Sequence, residues 1–171
     1  MWTIHEVKFL LHKLSLELWQ TGGKSRYQIC LLGEMSMVFE FGIRKSVSKV
    51  EARLSYETDI IYAARKVAIQ HGFDKDWLVA NHSIFDPPDF KEIPIDVPGV
   101  DGFLMTRPNA KLLFFLKAYF YDRERSRDSR EEMIELGRLL GLKSSSEAQS
   151  FLLSYPDSRY SNRQMRIRTL S

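Results

Sequence analysis

The chain predicts an α+β fold in which a small mixed sheet is packed by helices. Three observations carry this expectation. Apolar residues recur at helical spacing in six stretches, and short apolar or alternating runs between them suit strands. The order of the two kinds, α-β-α-β-α-β-β-α-α-α, lacks the strict alternation of a parallel α/β protein. The 171 residues fit one domain, expected over 1–155, with a tail at 156–171.

The elements follow in order. Thr3 and Glu6 make a capping box, and Val7, Leu10, Leu11, Leu14 and Leu18 form the stripe of a first helix that Gly22-Gly23 ends. YQICLL, residues 27–32, suits a buried strand. Gly33 breaks it, and EMSMVFEF continues as a helix to Gly42. Residues 47–54 alternate, with Val47, Lys49, Glu51 and Arg53 on one face and Ser48, Val50, Ala52 and Leu54 on the other. Ser55 is expected to open a third helix, with His71 capping its end beside Gly72. Four prolines restrict residues 74–99, where EIPIDV suits an edge strand and Trp77 a core anchor. FLMT reads as a further strand, and Pro108 suits the first turn of the next helix. Ser129 with Glu132 and Ser144 with Glu147 are expected to box the last two helices.

Composition excludes several classes. Hydrophobic residues make up 44% and charged residues 27%, ordinary usage for a folded domain. One cysteine, Cys30, leaves no internal disulfide and no paired-cysteine zinc site; it reads as a small core residue. The net charge of +3 is local. From Tyr155 onward stand Arg159, Arg163, Arg166 and Arg168 against Asp157 alone; taking these from the totals of 25 and 22 leaves 21 bases and 21 acids. The body is neutral, and the basic tail is the candidate contact for nucleic acid or a protein partner. Glu6, Lys8, Lys13 and Glu17 interrupt the N-terminal apolar stripe, which therefore suits neither a signal sequence nor a membrane span. A cytoplasmic protein with no membrane contact is expected.

The most informative stretch is ICLLGEMSM…GIRKSVSKVEARL. A strand ends in a glycine, a helix starts at once, and the next strand carries charges at i and i+2, which share a face. Free N–H groups at such a helix start suit phosphates. This arrangement resembles the nucleotidyltransferase fold, in particular the small bacterial nucleotidyltransferase-like proteins related to abortive-infection toxins. AARKVAIQHGF followed by DWL is similar to that family's helix and turn. FLMTRPNAKLLFFLK resembles its strand and lysine-bearing helix, and SRDSREEMIELGRLLGL its Arg-Asp helix start. The likeness covers most of residues 25–155.

The resemblance implies a site at Gly33, Glu34, Lys49 and Glu51, with Lys117, Arg127 and Asp128 as candidates for phosphate or substrate. The family's Gly-Gly is Gly33-Glu34 here, and its Asp-x-Asp is Lys49-Val50-Glu51. Paired carboxylates hold the divalent metals of such chemistry, so Lys49 stands where a cation should bind and should pair with Glu51 instead. Glu34 places a carboxylate at the helix start that should receive phosphates. These departures predict a catalytically degenerate protein with no metal or cofactor, kept as a binding or regulatory module. The resemblance implies a bacterial defence or toxin–antitoxin setting.

Enzymatic activity stays open at this point. An active enzyme acting on RNA or protein with Mg²⁺ and NTP would join Glu51 to Glu34, Glu40 or Asp101. A nucleic-acid-binding module using the arginine-rich tail is the other alternative. Arg123, Arg125, Arg127 and Arg130 form the densest basic cluster of the body, interleaved with acids as in a salt-bridged helix start. His5 and His12 read as surface residues, His82 follows Asn81 in a loop with no partner evident from sequence, and the prolines between Asp86 and Asp89 suit a rigid turn. The aromatic segment 112–121 would permit a homodimer.

Overall fold

The computed structural model describes residues 1–41, 46–81, 91–124 and 127–154, without the side chains of 40–41, 119–124 and 127–129. The fold is α+β, as the sequence predicts. It packs as two compact units, Met1–Ile84 with Glu92–Pro108 and Phe85–Lys91 with Asn109–Ser171.

The first unit holds β1 (Trp2–Thr3), α1 (Ile4–Trp19), β2 (Gln28–Leu31), α2 (Gly33–Phe41), β3 (Ser46–Val47), β4 (Val50–Leu54), α3 (Glu57–Gln70), β5 (Leu78–Ala80), β6 (Glu92–Pro94) and β7 (Leu104–Pro108). Five strands form one sheet in the order β5-β4-β2-β7-β6. β2 runs antiparallel to β4 and parallel to β7. On one face Ile29, Leu31, Val50, Ala52 and Met105 join the stripes of α1 and α3 in a single core. Fully burying each large aliphatic side chain contributes about 1.5–3 kcal/mol.

Local signals hold where their chemistry is local. The Thr3 hydroxyl accepts the Glu6 N–H at 3.2 Å, and the Glu6 carboxylate accepts the Thr3 N–H at 2.8 Å, completing the box. The Thr3 N–H and the Thr3 hydroxyl, both donating to that carboxylate at 2.8 Å, hold the Glu6 carboxyl below its usual pKa. Trp77 is fully buried and donates its indole N–H to the Ala64 carbonyl at 3.1 Å, which makes it the expected anchor.

Four expectations are corrected. The strand at 47–54 breaks at Ser48-Lys49: β3 pairs with β1 in a separate two-stranded ladder, and Val47 is buried instead of sharing the polar face. Ser55 closes the sheet, its hydroxyl accepting the Gln28 N–H at 2.7 Å, while Tyr56 precedes α3 in the left-handed region at φ +45°. Pro108 ends β7, and Asn109 caps the following helix by accepting the Leu112 N–H at 2.9 Å. β5 was not anticipated inside the proline-restricted stretch.

The second unit contains α4 (Ala110–Glu124), α5 (Arg127–Leu139) and α6 (Ser145–Leu153). Ser144 caps α6 as expected, accepting the Glu147 N–H at 3.2 Å, but the Glu147 carboxylate accepts from Lys143. Ser129 lies inside α5, not before it, so Glu132 makes no box there.

Candidate functional site

The site is assembled where β2 turns into α2. Gly33 takes φ +54°, a conformation that costs a side-chain-bearing residue, and the Ser36 hydroxyl ties the turn back to the Leu31 carbonyl at 2.6 Å. The neighbouring strand presents Glu51 to this turn: the Leu32 N–H donates to the Glu51 carbonyl at 2.9 Å. A Cβ on Gly33 would lie 3.6 Å from Glu51 Oε2, so the carboxylate rests against the glycine.

Lys49 and Glu51 pair, with Nζ 2.7 Å from Oε1. The lysine side chain is 56% exposed and the glutamate 27%. Such a pair contributes under about 1 kcal/mol to stability. Its consequence is electrostatic: a divalent ion about 4 Å from the ammonium would meet repulsion on the order of 8 kcal/mol at an effective dielectric near 20. Relief requires swinging Lys49 away and breaking the pair. Glu51 beside an ammonium is one carboxylate, not the pair of carboxylates that holds a catalytic divalent metal.

Glu34 closes the adjoining space differently from the expectation. Its carboxylate reaches past the helix start and accepts the Ser48 N–H at 3.0 Å and hydroxyl at 3.3 Å, holding the turn between β3 and β4. Glu51 thus meets Gly33 and Lys49, while Glu34 is held by Ser48.

The same sheet face carries a second cluster that sequence reasoning missed. Glu92 on β6 accepts hydrogen bonds from Arg53 on β4, Gln28 on β2 and, at 2.6 Å, Thr106 on β7. Burial raises the Glu92 pKa, but the donors from Thr106, Arg53 and Gln28 together with the guanidinium charge outweigh it and leave the carboxyl below its usual value. A carboxyl depressed in the folded state stabilises fully above its unfolded pKa, about 4.3, and loses that contribution as pH falls through the folded value. Glu92→Gln is expected to cost about 1–3 kcal/mol at neutral pH and to flatten the acid limb. Urea midpoints measured across the acid range check this; profiles parallel to wild type would contradict it.

The remaining candidates fall elsewhere. Lys117 is buried on α4 and its ammonium lies 2.5 Å from the fully buried Glu132 carboxylate on α5. Arg127 and Asp128 begin α5, but their side chains lie outside the described residues, as do Glu40, Arg123, Arg125, His82, Asp86, Asp89 and the tail arginines. Asp101 pairs with Lys24 at 3.1 Å. It precedes Leu104, whose partner Gln28 starts β2, whereas Glu51 sits at the far end of that strand. About 13 Å of strand separates the two ends, which rules out a shared Glu51–Asp101 site. His12 Nδ1 lies 2.8 Å from the Gly99 carbonyl, and His71 ends α3 with its ring edge-on to Phe9. Phe114 and Phe115 are buried, so the described aromatics of 112–121 offer no dimer surface. Cys30 is buried, the small core residue the sequence suggests.

Among the described residues, no helix is long and apolar enough to cross a membrane. No family, curated protein or solved structure matches the chain.

Proposed function

We propose that the chain is a nucleotidyltransferase-fold protein that has lost the transfer chemistry and works as a binding or regulatory module, in a setting such as bacterial defence or a toxin–antitoxin pair. The observation that carries the reading is the 2.7 Å Lys49–Glu51 pair. Nucleotidyl transfer of this kind needs carboxylates free to hold metal ions against a triphosphate. Here one of the two positions is a lysine, and its ammonium already neutralises the other.

A second support is Glu34. A negative side chain in the first turn of α2 opposes an incoming triphosphate and complements the helix dipole itself. Its bonds to Ser48 also fix the turn from which Lys49 projects. The two departures act on different requirements, metal binding and phosphate binding, so restoring one leaves the other.

The test is transfer itself. Incubation with labelled nucleoside triphosphates, Mg²⁺ or Mn²⁺, and cell extract is expected to label nothing above background. Label transfer that disappears in Glu51→Ala would replace the reading with an active enzyme.

A further inference from the structure

We draw no further inference here: the strongest candidate, the exposed surface patch of α1 and α3 around Leu16, Trp19, Tyr62 and Ile69, is interrupted by Lys13 over the Phe9 ring and by Arg65 and Lys66, and nothing in the structure shows what covers it.

Discussion

Gly102→Ala is expected to abolish folding or to cost at least about 4 kcal/mol, the range reserved for severe steric conflict. A Cβ at this position would lie 1.8 Å from the Ser15 carbonyl oxygen, 2.6 Å from its carbon and 2.8 Å from its Cα. All three are main-chain atoms in the interior of α1, so no side chain can rotate out of the way. The approach is fixed from the other side too. The Ser15 hydroxyl oxygen accepts the N–H groups of Asp101 and Gly102, both at 2.7 Å, pinning the loop to the helix. Ser15→Ala serves as the milder comparison: it leaves space but strips two N–H groups of their acceptor, at about 1–3 kcal/mol for each donor left buried without one. Urea denaturation orders the two variants. A Gly102→Ala protein within about 1 kcal/mol of wild type would contradict the packing described.

Glu132→Ala should destabilise by about 3–5 kcal/mol, because it strands the Lys117 ammonium between α4 and α5. The carboxylate is fully buried and the lysine side chain is only 9% exposed. The pair itself is a different quantity from the loss of one partner. Desolvating both ions offsets most of their attraction, so Lys117→Met with Glu132→Leu is expected to be neutral or stabilising by about 1–4 kcal/mol. The double-mutant cycle thus separates an uncompensated charge from a stabilising interaction. Equal losses in the single and double variants would mean that the site needs the ion pair as such.

What could be read from sequence depended on how locally each feature is specified. The first helix was legible because Thr3, Glu6 and the stripe from Val7 to Leu18 act within one element. Trp77 was legible as an anchor, yet the three-residue β5 beside it was not, since so short a run carries no period of its own. The break at Ser48-Lys49 was hidden by an alternation that runs on through it; only pairing with the chain's own Trp2-Thr3 turns Ser46-Val47 into a separate ladder. Glu132 fitted a capping pattern with Ser129, and its partnership with Lys117 appears only when two helices are packed.

The site divides in the same way. Lys49 and Glu51 sit two apart across the start of β4, and that spacing alone predicts their pairing. The contact of Gly33 with Glu51 follows once β2 and β4 are neighbours. Glu92 joins Gln28, Arg53 and Thr106 across four strands, and strand order and register are the two things a single sequence does not state. Alternation marks Arg53 and Thr106 as candidates for one face. It does not say which carboxylate meets them.

The most direct measurement of the central claim is nucleotide transfer by the wild-type chain, compared with Glu51→Ala, in labelled ATP, GTP, CTP and UTP with Mg²⁺ and with Mn²⁺. A lysine-neutralised carboxylate and a negative charge, Glu34, in the first turn of α2 predict no label on RNA, on protein or on the chain itself, and no difference between the two proteins. Labelling by the wild type that Glu51→Ala abolishes would contradict it.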